Sequence, residues 1–217
     1  MTDRLLAARD ALKSWLLNDA YPLWWEAGYD HVNGGFHEKL NLDGTPTQAP
    51  RRARVQPRQI FAYAVAGELG WDGPWVEAVQ SGLDWYQAHY FRPDGLIRTL
   101  VSPDGEALDD SVVLYDQAFG LFALATAYAA LGRPAGLAQR ADTLLAQLKA
   151  KGCHAAFAGI ALFCRPAVLW LFLPRSGLDP VARRSEALRS LARRWTTQAP
   201  AHPVIAAGST GSIWSPF

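Results

Sequence analysis

Apolar residues recur at helical spacing in five stretches of the chain, separated by two short stretches of alternation. Over residues 3–19, Leu5, Leu6, Leu12, Trp15 and Leu16 share one stripe with charges opposite, which predicts an amphipathic helix. A second helix is predicted over 56–69, stopped by Gly70. A third, over 74–90, opens on Pro74 and carries Trp75, Val79, Leu83, Tyr86 and Tyr90 at helical spacing. The fourth covers 111–131 and stops at Gly132, and the fifth starts near Pro134 with Leu137, Ala141, Leu144, Leu145 and Leu148. The alternating stretches run from Asn33-Gly34-Gly35-Phe36 to Asp43-Gly44, and from Asp94-Gly95-Leu96 to Asp104-Gly105. An Asp-Gly end of this kind predicts a hairpin.

The order is helix, hairpin, helix, helix, hairpin, helix, helix. Gly44 and Gly105 close equivalent turns 61 residues apart, and the helix stops Leu69-Gly70 and Leu131-Gly132 lie 62 apart. A fixed period of this size means stacked supersecondary units sharing one core. The first, third and fifth helices are amphipathic, as an outer layer requires. The second and fourth have apolar bodies (60–69 and 119–131) and gather their polar residues in the first turn: Gln56, Arg58 and Gln59 in one, Tyr115, Asp116 and Gln117 in the other. Inner helices whose N-terminal turns converge on one mouth fit this pattern. The expected architecture is an all-α toroid of paired helices, with hairpins rimming the mouth.

Composition sharpens the picture by dividing the chain. Residues 1–150 carry 13 Lys and Arg against 18 Asp and Glu, whereas 151–217 carry 8 against 2, with both cysteines (Cys153 and Cys164) and 6 of the 14 prolines. The overall charge of +1 gives no reason to expect a nucleic-acid partner. Two isolated cysteines make neither a disulfide framework nor a metal site. The charged N-terminus does not read as a signal segment, so the expected compartment is the cytoplasm and no membrane partner is expected. The apolar run 155–173 is interrupted by Arg165 and Pro166, which disfavours a membrane span.

Candidate chemistry gathers at the inner-helix starts. Arg58 can hold a substrate oxygen and stabilise developing negative charge, or it can be satisfied by Asp116 or another neighbour. Asp116 and Gln117 can orient hydroxyls, or serve only the start of their helix. His31 and His37 flank Gly34-Gly35 and could work as general acid or base, or sit solvated in a loop. Trp24, Trp25, Tyr29, Phe36, Trp75 and Trp85 suit either sugar stacking or a toroid core. Arg51, Arg52 and Arg54 form a basic cluster that could meet a phosphate. No Walker loop, dinucleotide fingerprint, nucleophile elbow or metal-ligand spacing is present.

The ordered series Asn33-Gly34-Gly35-Phe36, Asp43-Gly44, Arg54-Val55-Gln56-Pro57-Arg58-Gln59-Ile60-Phe61, Asp94-Gly95 and Leu114-Tyr115-Asp116-Gln117-Ala118-Phe119 resembles the N-acylglucosamine 2-epimerase family over residues 10–150. The resemblance implies an (α/α)6 toroid, here about half of the ring. It also implies cofactor-independent proton transfer between C1 and C2 of an open-chain sugar or sugar phosphate, by an epimerase or an aldose–ketose isomerase. Arg58 matches the family's substrate-contacting arginine and is the expected catalytic residue. Tyr115 and Asp116 match a pocket-lining motif; with Gln117, Phe36 and His37 they complete the expected substrate-binding set, with no metal. The histidines assigned as acid and base lie in the family's second half, and His154 and His202 stand in the wrong context to replace them. Impaired chemistry is therefore expected, as is association or aggregation through exposed inner helices. A toroid glycoside hydrolase using Asp109, Asp110 and Asp116, and a non-catalytic sugar-binding fragment, are the alternatives.

Residues 1–150 are accordingly read as the N-terminal part of a sugar epimerase/isomerase domain, and 151–217 as an unmatched basic tail. The tail's richness in Arg, Ala, Pro, Ser and Trp is what a GC-rich coding region gives when read out of frame. A frameshift near codon 150 accounts for the break; the other account is a divergent segment with one basic helix over 181–195.

Overall fold

The computed structural model describes residues 3–151. Expectations placed further on, including the apolar run 155–173, the basic helix over 181–195, His154, His202 and the frameshifted tail, lie outside the described residues. Within them, the chain runs through α1 (Asp3–Trp15), a π-helical segment (Leu16–Ala20), α2 (Tyr21–Glu26), β1 (Arg51–Arg52), α3 (Val55–Leu69), α4 (Trp75–Tyr90), β2 (Leu100–Val101), β3 (Ala107–Asp109), α5 (Leu114–Ala130) and α6 (Ala135–Ala150).

The first predicted helix does not stop at Asp19. It widens into the π segment, whose last bond runs from the Tyr21 N–H to the Leu16 carbonyl, and continues as α2 to Glu26. Pro22 explains the change: it has no N–H to donate, and its ring crowds the carbonyl four residues back, so a wider turn accommodates it. The stripe on α1 is also not core, since none of its residues is buried. At α5 the helix starts at Leu114 rather than 111, because Ser111 is still tied to the hairpin: its carbonyl accepts from the Thr99 hydroxyl.

The inner helices behave as their apolar bodies require. α3 packs directly on α4 and α5, and α5 packs on α4 and α6, so outer and inner helices alternate along an arc. α5 buries ten residues. The core between these helices is aromatic: Phe36 stacks on Tyr63 with ring centroids 5.5 Å apart, and Tyr63 meets Trp71 at 5.5 Å. Trp85 packs under the first hairpin, where Gly34 and Gly35 lie so close that a Cβ on either would meet its ring within 2.8 Å. Both have positive φ, so glycine is required on two counts.

The 61-residue period is a period of geometry. The Gln56 side-chain amide accepts from the Phe36 N–H at 2.8 Å and donates to the Phe36 carbonyl at 2.7 Å. Gln117 does the same to Ile97, at 2.9 and 2.6 Å. In each unit, a glutamine near the inner-helix start clamps the hairpin strand to the helix. The units are further joined by a three-stranded antiparallel sheet in the order β1-β2-β3, in which Arg51 pairs with Val101 and Arg52 with Leu100. That cross-unit sheet is not legible in the alternation, because β1 is only two residues long.

Candidate functional site

Neighbouring inner helices meet along a seam built by repeat-equivalent residues. The Arg54 guanidinium lies 5.8 Å from the Tyr115 ring centre, Arg58 lies 4.9 Å from that of Phe119, and Phe61 packs on Phe122 at 5.0 Å. Each pair is separated by 61 in sequence. Positions 54, 58 and 61 fall on one face of a helix, as do 115, 119 and 122, so the seam follows from helical periodicity applied twice. Its upper end lies at the N-terminal turns of α3 and α5, where unpaired N–H groups favour negative charge.

The two arginines of the seam are in different electrostatic states. Arg54 Nη1 is 3.3 Å from Asp116 Oδ1, and Asp116 is fully buried. The counter-ion that sequence offered to Arg58 is thus taken by Arg54. Arg58 is exposed, donates to the Tyr115 hydroxyl at 3.4 Å and has no carboxylate partner among the described residues. Tyr115 remains 47% exposed, between the two guanidinium groups. Among the described residues the seam thus holds one cation without a carboxylate partner, flanked by a phenol and aromatic faces and able to meet a ligand oxygen.

The other expected site residues lie elsewhere. Phe36 has no exposed surface and belongs to the aromatic core. Gln117 is buried, and its amide is occupied by the Ile97 backbone, so it holds a strand rather than facing the mouth. His37 is buried beside the ion pair of Arg51 and Asp30 and lines a separate cleft of about 430 Å3 with Tyr29, His31, Asn33 and Gln48. Burial first, then the Arg51 charge, push its imidazole below the ordinary range, against the pull of Asp30. His31 bonds the Trp25 carbonyl, and His89 bonds that of Gly105. None of the described histidines contacts Arg58 in the hydrogen-bond and ring geometry.

The basic cluster is dispersed by its partners. Arg51 is buried and binds Asp30 Oδ2 at 2.6 Å and the Gly34 carbonyl at 2.7 Å. Burial pushes the Asp30 carboxyl up, but hydrogen bonds from Asn33, Arg51 and Val32 outweigh it and hold it at about 2. Arg52 pairs with Glu38. The carboxylates of the glycosidase alternative are equally dispersed: Asp109 caps the Ser111 N–H, Asp110 faces Arg98, and Asp116 is buried under Arg54. Among the described residues no group of three or more His, Cys, Asp or Glu is placed to hold a metal ion, and no helix is long and apolar enough to cross a membrane.

Arg54 was missed as a member of the site, although it stands four residues before Arg58 and so shares its helix face. Its ion pair with Asp116 spans 62 residues and needs the packing of α3 on α5 to form.

Comparison with known proteins places this geometry. The chain is 42% identical over 144 residues to the mannose-6-phosphate isomerase of Rhizobium meliloti (strain 1021), a match covering 66% of this chain and 37% of that protein. In fold it is similar to the cellobiose 2-epimerase of Spirochaeta thermophila DSM 6192, with a TM-score of 0.60 at 21% identity, covering 68% of this chain and 37% of the other. The cellobiose 2-epimerase of Bacillus thermoamylovorans B4167 gives 0.56 at 19% identity, covering 64% and 37%. The chain therefore spans a little over a third of the length of these relatives, and its helices form part of an (α/α)6 toroid. With the N-acylglucosamine 2-epimerase (GlcNAc 2-epimerase) family profile matching residues 34–161, more than half of the sequence, the chain belongs to that family.

Proposed function

We propose that residues 1–150 form the oxygen-binding wall of a sugar 2-epimerase or aldose–ketose isomerase, acting on mannose- or glucosamine-type sugars, free or phosphorylated. The observation that carries this reading is the Arg58 cation at the mouth, without a carboxylate partner among the described residues and held over Phe119 and against the Tyr115 hydroxyl. Interconversion at C1 and C2 removes a proton α to a carbonyl, and the electron pair moves onto the carbonyl oxygen as an enediolate. For isomerisation a proton returns to C1 while the O2 hydroxyl proton passes to O1, leaving the carbonyl at C2; for epimerisation it returns to the opposite face of C2 and the carbonyl re-forms at C1. The reaction is redox-neutral and is assigned no cofactor. A guanidinium beside that oxygen stabilises the charge as it develops. Tyr115 and Asp116 act with it, the first by contact and the second through Arg54. The activity named for the Rhizobium meliloti relative supports a mannose-type substrate.

The proton carriers are assigned outside residues 3–151, because the described histidines are engaged elsewhere. The chain by itself is thus expected to bind sugar and to transfer protons poorly. Titration with mannose, mannose 6-phosphate and N-acetylglucosamine, followed by incubation in D2O, tests both parts. Saturable binding that Arg58→Ala weakens by about tenfold or more, the loss of one charge-assisted hydrogen bond, is expected. Binding indifferent to that substitution overturns the role of Arg58, and rapid deuterium uptake at C2 overturns the impairment.

A further inference from the structure

Two buried oxygens behind the mouth have complementary chemistry and no partner. Asp116 uses Oδ1 for Arg54, while its Oδ2 is buried and accepts no hydrogen bond among the described residues. The Tyr86 hydroxyl, from the outer helix α4, is equally buried and equally without a partner. They lie against the same strip of α5. Gly120 follows Asp116 by one helical turn, and a Cβ on Gly120 would come within 3.4 Å of Tyr86 Oη. That is an ordinary packing distance, so the phenol lies directly against this face of α5, while Ile97 Cδ1, 1.9 Å from the same point, is what requires the glycine.

A carboxylate oxygen can only accept and a phenol carries one proton to donate, so each supplies what the other lacks. Leaving either alone in a low-dielectric interior is costly, and buried polar groups are almost always satisfied by protein or by one held water. Burial above all, then the neighbouring Tyr90 and the Asp116 charge, raise the Tyr86 phenol well above its ordinary range, so it stays protonated and remains a donor. The pair is also not part of the repeated scaffold. Sixty-one residues earlier the corresponding positions are Trp25 and Val55, which can form no such bond. It occurs in the unit where Arg54 needs a fixed counter-charge.

We propose that Tyr86 is a positioning residue for the mouth: its hydroxyl donates to Asp116 Oδ2, after a small rotation or across one shared water, and so fixes the carboxylate that holds Arg54 against Tyr115. The outer layer thereby reaches the seam through a chain of three side chains, Tyr86 to Asp116 to Arg54. The contact stands independently of substrate; its consequence for sugar binding rests on the function proposed above.

The full chain labelled with 13Cζ-tyrosine and 15N-arginine tests this by NMR. In equal parts of H2O and D2O, a slowly exchanging Tyr86 hydroxyl gives two resolved 13Cζ lines; a single averaged line overturns the proposal even if no variant folds. In Tyr86→Phe, the Arg54 guanidinium is expected to exchange and rotate about fivefold faster, the factor set by one ordinary hydrogen bond. Tyr90→Phe is the control, because the Tyr90 hydroxyl donates to the Arg51 carbonyl and not to Asp116. Arg54 signals unchanged in Tyr86→Phe, or changed equally in Tyr90→Phe, overturn the proposal. Mannose binding weakened in Tyr86→Phe and not in Tyr90→Phe extends it to the ligand. If Arg54 responds while no form binds sugar, the contact is upheld and the sugar reading is what fails.

Discussion

The first hairpin unit (29–56) and the second (91–117) share a backbone and differ in nearly everything attached to it. Both close on an Asp-Gly turn, both are clamped by a glutamine 20 residues on, and both lie against the outer helix that follows. Yet the first unit buries an ion pair of its own and a histidine, while the pairs internal to the second lie near solvent, Arg98 with Asp110 and Arg92 with Asp94, and its one buried carboxylate, Asp116, is paired across to Arg54. The equivalent positions of His37 and Arg98 show the divergence directly. The parts that repeat satisfy backbone groups, which both units must do, and the parts that differ hold charge, which the two units arrange differently.

Four measurements can break or sharpen that contrast. The largest effect is expected for Arg51→Met, which strands the buried Asp30 carboxylate and should cost about 3–5 kcal/mol in urea unfolding. Arg98→Met, beside an Asp110 side chain that is 63% exposed, should cost at most about 1 kcal/mol. Similar losses for the two would mean that the ion pairs are equivalent after all.

Next come the clamps. Gln56→Ala and Gln117→Ala each leave one N–H and one carbonyl unsatisfied in the core, and each should cost about 2–3 kcal/mol. Near-equality is the sharp expectation. A clamp that can be removed without loss would show that its hairpin is held by other contacts.

Acid titration addresses the buried titratable pair of the first unit. The Asp30 carboxyl is held at about 2, down from 3.8, so its contribution of about 2 kcal/mol is present above pH 4 and fades as pH falls from about 4 towards 2. His37 is also depressed, so its contribution is present above 6.5 and begins to fade as pH falls below that, when the unfolded chain takes up a proton first. Stability followed by circular dichroism should therefore decline in two steps, and Asp30→Asn should shrink the lower one, to which the depressed Asp43, Asp104 and Asp109 carboxyls also contribute. A single step unchanged by that substitution would contradict the assignment.

The smallest difference separates the two turn glycines. Gly44 and Gly105 both have positive φ, but a Cβ at 44 meets nothing nearer than 3.9 Å, whereas one at 105 would lie 2.1 Å from His89 Nδ1. Gly44→Ala should cost about 1–2 kcal/mol for the backbone conformation, and Gly105→Ala about 1 kcal/mol more for the displaced imidazole. Equal melting-temperature shifts would mean that His89 gives way freely.

Sequence legibility followed the range of the interaction. The helix ends at Leu69-Gly70 and Tyr90, the inner and outer characters of the helices, and the period of 61 were all readable, because each depends on residues within a few positions or on simple recurrence. The continuation of the first helix through Pro22 was not, since a π turn leaves no distinct mark in the apolar pattern. The fold divides the expected site residues. Arg58 and Tyr115 are brought together at the mouth, but Phe36, His37 and Gln117 are turned inward, because a residue near a helix start can face the mouth or the hairpin with equal ease. Phe36 and His37 are both buried, the first stacked on Tyr63 and the second beside the Arg51–Asp30 pair, and a clamp needs a buried amide, which claims Gln117.

The sequence by itself determined the repeated unit, its glycine turns and the helices around it, for these are set by local conformational preference and periodic burial. Only the tertiary structure decided which arginine is neutralised. Arg51, Arg52, Arg54 and Arg58 are alike as letters, and their carboxylates are distant in the chain. Packing α3 on α5 and folding the hairpin back gives three of them a counter-ion and leaves Arg58 without one among the described residues. Charge in a protein interior is governed by what lies within a few ångströms, and that distance is measured across the fold rather than along the chain.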